Sequence, residues 1–338
     1  MRARRIAIYG AGSIGCYVGG RLAATGSDVV FIGRERIAAE VRAHGLHLTD
    51  WEGAALDVAP DRIRFETTAP AASGADLALV TVKSAATDDA GRELAAVLSP
   101  SALVVSLQNG VGNAERLRAA LPSRTVLPGM VQFNVVHQGA GRFHHGSEGR
   151  LEVARDARLD PYLAPFAAAG LPLVLHDRMV PVLWAKLLLN LNNPVNALSD
   201  LPLKAQLSDR ALRRCTALAQ AEALALLAAA GIAPARLTPL PASWLPRVLR
   251  LPNAIFTRLA GRMLAVDPQA RSSMWEDLQA GRTTEVDWLN GEIVRLAASL
   301  GRTAPVNARL VALVRAAEGG ERRTWSGPAL LAELERAA

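Results

Sequence analysis

The chain is predicted to fold as an α/β half built on a parallel sheet, followed by an all-α half. Three observations carry this. Apolar, β-branched runs recur through the first half ("RRIAIY", "DVVFIG", "ADLALVTV", "SALVVSL"), the pattern of strands buried on both faces. From about Val180 alanine and leucine dominate, β-branched runs vanish, and Gly-Pro punctuation spaces out helical periods. A length of 338 residues suggests two domains with ample core in each, placed at 1–179 and 180–338.

Taken in order, the first strand runs into "GAGSIG", which sets Gly10, Gly12 and Gly15 in GxGxxG spacing with Ser13 and Ile14 between them. A helix pattern follows at once and ends at Gly26. A strand, this turn and a helix form a dinucleotide-binding unit. One glycine makes the tight turn, one lets the backbone approach a pyrophosphate, and one allows close helix–strand packing. The phosphates then sit on the helix N-terminus, where free N–H groups favour negative charge.

The second strand ends at Gly33-Arg34-Glu35. An acidic residue there accepts from a ribose 2′-OH, whereas a basic one suits a 2′-phosphate. Arg34 comes first and favours NADP(H); Glu35 beside it keeps NAD open. Two further strands end in Lys83-Ser84 and Gln108-Asn109-Gly110. Ligands of open parallel sheets bind beyond the carboxyl ends of the strands, and four successive ends here carry polar groups. Between these strands, "GLHLTDWEGAALDVAPDRIRF" alternates like a small hairpin. Residues 125–155 read as extended, with "QGAGRFHHG" as a turn-rich loop. His144 and His145 are adjacent rather than at ligand spacing, so they read as solvated loop histidines and no metal site is expected.

In the second half, helices are expected over about 181–197, 208–230, 242–264, 271–281, 283–300, 305–317 and 327–337. "WAKLLLNLNNPVN" is unusual among them. Lys186, Asn190 and Asn193 share a face at helical spacing in an otherwise apolar run, and burying such groups without partners costs several kcal/mol. Pro194 deprives the Asn190 carbonyl of its usual helical donor. Ser243 is a candidate cap, and the paired serines of "ARSSMWEDL" either cap a helix or face a ligand carboxylate. The helix from 283 opens with threonine caps and places Glu285 and Asp287 in its first turn, where the helix dipole alone explains them.

Composition narrows the partners. Half the residues are hydrophobic and the formal charge is +7, but the basic residues are scattered and aromatics are only 4%, which argues against nucleic acid. The most apolar stretch, 215–232, is broken by Gln220 and Glu222, so a core helix is expected and no membrane span. Two distant cysteines, Cys16 and Cys215, fit the reducing cytoplasm, and the basic start MRARR is not followed by a signal sequence.

"GAGSIG" with Arg34, "TVKS", "SLQNGVGN", "WAKLLLNLNNPVNAL" and "SSMWEDLQAGRTTEVDWLNG" together resemble the ketopantoate reductase (2-dehydropantoate 2-reductase) family, in its order and over nearly the whole chain. The resemblance implies a Rossmann-type N-terminal domain and a helical C-terminal domain like that of 6-phosphogluconate dehydrogenase, with the site in the cleft. It implies NADPH-dependent reduction of a 2-oxo acid to a 2-hydroxy acid, in pantothenate synthesis for the best-known members. It implies Lys186 as catalytic lysine and Glu285 as catalytic glutamate. Asn109, Asn190, Asn193 and Ser273 would contact substrate. Gly10, Gly12, Ser13, Ile14, Gly15, Arg34, Lys83 and Asn109 would contact the cofactor. Monomers and homodimers both occur in such a family.

The chain also departs from the pattern. Asn193 stands seven rather than eight residues after the lysine, Ala270 replaces a further asparagine, and the loop "SDLPLKAQLSD" lacks another. A reductase for a different oxo acid is therefore the near alternative to a ketopantoate reductase. A non-catalytic NADP(H)-binding sensor is the alternative of another class.

Overall fold

The computed structural model describes residues 4–259 and 270–338. The chain divides into two compact units, Met1–Met179 and Val180–Ala338.

In the first unit, β1 (Arg5–Tyr9), α1 (Ser13–Ala24), β2 (Asp28–Ile32), α2 (Glu35–His44), β3 (Leu46–Asp50), β4 (Ala55–Val58) and β5 (Arg64–Glu66) come first. Then follow β6 (Leu77–Val80), α3 (Thr87–Val97), β7 (Leu103–Ser106), α4 (Asn113–Ala120), β8 (Thr125–Val131), β9 (Val135–Gly139), β10 (Arg142–His145), β11 (Leu151–Ala154), α5 (Asp160–Ala168) and β12 (Leu173–His176). An eight-stranded sheet runs β12-β11-β8-β7-β6-β1-β2-β5. It is parallel from β5 through β8, and β11 enters antiparallel to β8. This is the predicted Rossmann-type sheet. The chain leaves β1 toward β2 on one side and later returns to β6 on the other, so the topological switch lies between β1 and β6, where such sheets bind ligands.

The period-2 pattern explains the two-faced core. Ile6, Ile8, Phe31, Leu79 and Val105 bury against one face. Ala7, Tyr9, Val30, Val80 and Val104 bury against the other. Each fully buried large side chain contributes roughly 1.5–3 kcal/mol.

A second sheet, β4-β3-β10-β9, packs on α1. The expected hairpin is β3–β4. The expected loop at "QGAGRFHHG" is instead the β9–β10 hairpin. Its turn is made by left-handed residues Gly139, Ala140 and Gly141, while Phe143 becomes fully buried. The two histidines are correspondingly strand residues, His144 half-buried and His145 buried. His144 lies 2.8 Å from the Thr49 hydroxyl, and His145 is buried beside Tyr17 and Phe133. Burial pushes the His145 pKa down and keeps the ring neutral. Arg21 anchors α1 by donating to Tyr17 Oη (2.8 Å), Asp50 Oδ2 (3.1 Å) and the Ala169 carbonyl (2.7 Å).

The second unit is helical, as predicted. Among the described residues its helices are α6 (Val180–Asn190), α7 (Asn193–Ser199), α8 (Leu203–Ser208), α9 (Arg210–Ala229), α10 (Leu245–Leu249), α11 (Asn253–Leu259), α12 (Ser273–Gln279), α13 (Asn290–Ser299), α14 (Pro305–Glu318) and α15 (Gly327–Ala337). Asp209 caps α9 by accepting from the Ala211 and Leu212 amides. The buried face of α9, including Leu212, Cys215, Ala219, Ala223 and Leu227, packs with α10 and α15.

Several expected boundaries shift. The single helix over 181–197 is two, broken at Leu191–Asn192, because Pro194 has no N–H for the Asn190 carbonyl. The helix over 242–264 is a single 3-10 turn, α10 and α11, separated before Pro252; residues 260–264 of that expectation lie outside the described ones. Ser243 sits inside that 3-10 turn and caps nothing. The helix from 283 begins only at Asn290. No described helix is long and apolar enough to cross a membrane.

Candidate active site

The Gly-rich turn is built by contacts its glycines alone permit. Gly10 has φ +103°, and a Cβ there would lie 2.5 Å from the Val82 amide nitrogen. A Cβ on Gly15 would lie 2.7 Å from Thr81 Oγ1 and 2.9 Å from Ile8, so this glycine sets how closely α1 approaches the sheet. Gly12 differs. A Cβ there would meet only the Gly10 carbonyl at 3.9 Å, and its backbone is extended. Nothing in the protein requires glycine at 12, which leaves clear space directly over the N-terminus of α1. That end has no side-chain cap and no acidic residue in its first turn. A space a Cβ would fill, above uncapped N–H groups of Ser13, Ile14 and Gly15, fits a pyrophosphate.

Arg34 follows β2, is exposed, and has no side-chain partner among the described residues. Glu35 is engaged elsewhere, since Arg42 Nη1 donates to its Oε1 at 2.9 Å. The β6 and β7 ends are joined by a buried network. Gln108 Nε2 donates to the Val82 carbonyl (3.1 Å) and to Thr87 Oγ1 (2.7 Å), and its Oε1 accepts from Ser106 (2.9 Å). Asn113 Nδ2 donates to Ser84 Oγ (3.1 Å) and to the Asn109 carbonyl (2.5 Å). Lys83 and Asn109 thus sit half-buried on two braced turns, and neither lacks an interaction. Gln108 is one of the polar strand ends expected from the sequence, whereas the bracing roles of Thr87 and Asn113 are not. The polar spacing of "SLQNGVGN" was the available signal.

In the second unit, Lys186 is half-buried on α6 between buried Ala185 and Leu187, and Asn190 ends the helix one turn on. Asn193 is the first residue of α7, so it follows Lys186 across a break and not along one continuous face. The four asparagines divide by partner. Asn192 and Asn196 are tied to Gln206, Thr216, Leu201 and Ser272. The side chains of Asn190 and Asn193 make no hydrogen bond among the described residues.

The serine pair divides as well. Ser272 caps α12, its Oγ accepting from the Trp275 amide at 3.2 Å, whereas Ser273 is exposed at the first helical position. Glu285 lies five residues before α13 and leads a single 3-10 turn, so α13's dipole does not explain it. The preceding residue is pinned, with the Thr284 amide donating to Glu318 Oε1 at 2.7 Å. Lys186 and Glu285 each take part in an interaction.

Comparison with known proteins decides the family. The model described as "Ketopantoate reductase PanE/ApbA" matches residues 6–157, and that described as "Ketopantoate reductase PanE/ApbA C terminal" matches 178–318. The chain belongs to the ketopantoate reductase family. A 2-dehydropantoate 2-reductase of Halobacterium salinarum is 30% identical, covering 93% of this chain and 99% of its own. A structure titled as a PanE/ApbA family ketopantoate reductase from Ralstonia eutropha is 33% identical with TM-score 0.81, covering 94% of this chain and all of that one. The ternary structure of a D-mandelate dehydrogenase with NADH and anilino(oxo)acetate shares the fold at 19% identity and TM-score 0.77, over 94% of this chain and 99% of that one.

As a ketopantoate reductase family member, the chain is an oxidoreductase that takes a nicotinamide dinucleotide and a small oxo acid. No group of three or more metal-ligating side chains occurs among the described residues.

Proposed function

We propose that this protein reduces 2-dehydropantoate (ketopantoate) to pantoate with NADPH, a step of pantothenate synthesis. The observation that carries the reading is that both units match the family, and relatives named 2-dehydropantoate 2-reductase align over more than nine-tenths of the chain.

The dinucleotide, when bound, supplies the hydride. The first unit, residues 1–179, would hold it: backbone groups of Gly10, Gly12, Ser13, Ile14 and Gly15 would face the pyrophosphate, and Lys83 and Asn109 would contact the cofactor. Arg34 binds a 2′-phosphate. Its lack of a partner among the described residues, with Glu35 engaged by Arg42, supports NADP over NAD. The second unit, residues 180–338, acts on the oxo acid. A ketone carbon that accepts hydride leaves negative charge on oxygen, which a donor aimed at that oxygen stabilises. Lys186 Nζ is that donor and delivers or relays the proton. Glu285 orients the lysine or accepts from the new hydroxyl. Asn190, Asn193 and Asn109 contact the substrate, and Ser273 donates to its carboxylate or a neighbouring oxygen. The uncommitted amides of Asn190 and Asn193 support this division of labour. The two buried, free cysteines fit the reducing cytoplasm.

Steady-state kinetics with ketopantoate and a panel of branched 2-oxo acids tests the reading. Ketopantoate should have the highest kcat/KM with NADPH. Arg34→Ala should raise KM for NADPH about tenfold, in keeping with loss of a charge-assisted contact, while KM for NADH barely moves. An equal change for both cofactors contradicts the 2′-phosphate assignment. Preference for another panel member shows a sister reductase, and the 199–208 loop, Ala270 and the one-residue shift at Asn193 are where that difference would reside.

A further inference from the structure

We infer that Gln206 is a positioning residue for the oxo-acid site, an inference that rests on the function proposed above. Gln206 is fully buried on α8, the short helix formed within the segment "SDLPLKAQLSD" that the sequence reads as a loop. Its amide is the hub of a closed polar network. Gln206 Nε2 donates to Asn192 Oδ1 at 2.6 Å, and Asn192 Nδ2 donates back to Gln206 Oε1 at 3.2 Å. Thr216 Oγ1 on α9 also donates to Asn192 Oδ1, at 2.9 Å. Asn196 Nδ2 donates to Gln206 Oε1 (3.2 Å) and to the Leu201 carbonyl (2.9 Å). Asn196 Oδ1 accepts from the Ser272 amide (2.9 Å), and Ser272 Oγ reaches back to the Asn193 carbonyl at 3.5 Å.

This ring has a specific consequence. Asn192 is the break between α6 and α7, so the Asn192–Gln206 pair fixes the direction in which the chain leaves Asn190 and presents Asn193. Through Asn196 and Ser272 the same hub fixes the start of α12, where Ser273 stands. Two residues assigned to the substrate, 80 positions apart in sequence, are thereby held in one register by a side chain that need not touch the ligand. A buried amide network works only when every member is satisfied, so loss of the hub takes the acceptor of Asn192 Nδ2 and one of the two acceptors of Asn196 Nδ2 together. The network also gives the turn of this chain, one residue short of the family spacing, a fixed geometry of its own.

The test is Gln206→Leu, which keeps the volume and removes every bond of the hub. For a folded variant, kcat/KM for the oxo acid should fall about 30- to 100-fold, as a misplacement of about an ångström does, while KM for NADPH stays within about twofold. In a Ser273→Ala background, the further loss from Gln206→Leu should shrink to within about threefold, because coupled sites are not additive. Unchanged oxo-acid kinetics, an equal loss toward both substrates, or fully multiplicative losses would overturn the positioning role. If Gln206→Leu does not fold, Thr216→Val removes one bond to Asn192 at constant shape. It should produce the same selective loss, about threefold in size, and the role fails if it does not. A wild-type enzyme that reduces no 2-oxo acid sinks the underlying reading instead.

Discussion

Lys186→Ala is expected to lower kcat by about two to three orders of magnitude, the usual cost of removing a donor aimed at a developing oxyanion. Lys186 is the only cationic side chain in the sequence between Arg178 and Lys204, and it stands half-buried on α6. NADPH affinity, measured by quenching or enhancement of nicotinamide fluorescence, should stay within about threefold, because the residues assigned to the dinucleotide belong to the other unit. The melting temperature should also hold, since a half-buried lysine is lost from a helix that alanine favours. Near-normal turnover in this variant would remove Lys186 from the mechanism. Wild-type binding of NADPH without any turnover would instead indicate a sensor.

The second large effect separates two glycines three residues apart. Gly12→Val should abolish measurable dinucleotide binding, a loss of about 100-fold or more, without destabilising the protein. The added side chain would enter the clear space above the α1 N-terminus, where its Cβ meets protein only at 3.9 Å, and the extended backbone at 12 accepts a β-branched residue. Gly15→Val should behave oppositely in kind. Its Cβ would clash with Thr81, Gly10 and Ile8 at 2.7–2.9 Å, so overpacking should cost about 1–3 kcal/mol or more of stability. Thermal melts with and without NADPH distinguish them. A Gly12→Val protein that is still stabilised by NADPH as the wild type is would place the pyrophosphate elsewhere.

The fold class was legible because it rests on short-range rules. Strands buried on both faces must be apolar throughout, a tight strand–helix turn needs glycine, and helices show their period of 3.6. The family was legible from ordered motifs spread over both halves. What could not be read depended on distant partners. "QGAGRFHHG" looks like a loop because its glycines and histidines are polar-turn residues. Only the burial of Phe143 and the packing of His145 against Tyr17 and Phe133 make it a hairpin. Glu285 and Asp287 imitate the acidic first turn of a helix, yet that helix starts at Asn290. Among the asparagines, periodicity grouped Asn190 and Asn193 but was silent on Asn192 and Asn196. Their partners, Gln206, Thr216 and Ser272, lie 10 to 76 residues away. The sequence likewise offered capping and ligand contact as alternatives for the serine pair. The cap belongs to Ser272, and Ser273 stands at the exposed first position.

The most direct measurement is the fate of a labelled hydride. The enzyme is incubated with ketopantoate and NADPH deuterated at both hydrogens of the nicotinamide C4, and the product is analysed by mass spectrometry. Pantoate carrying one deuterium, bonded to carbon 2, is expected to form in step with NADPH consumption. Ketopantoate recovered unchanged, or pantoate without the label, would contradict the proposed reduction.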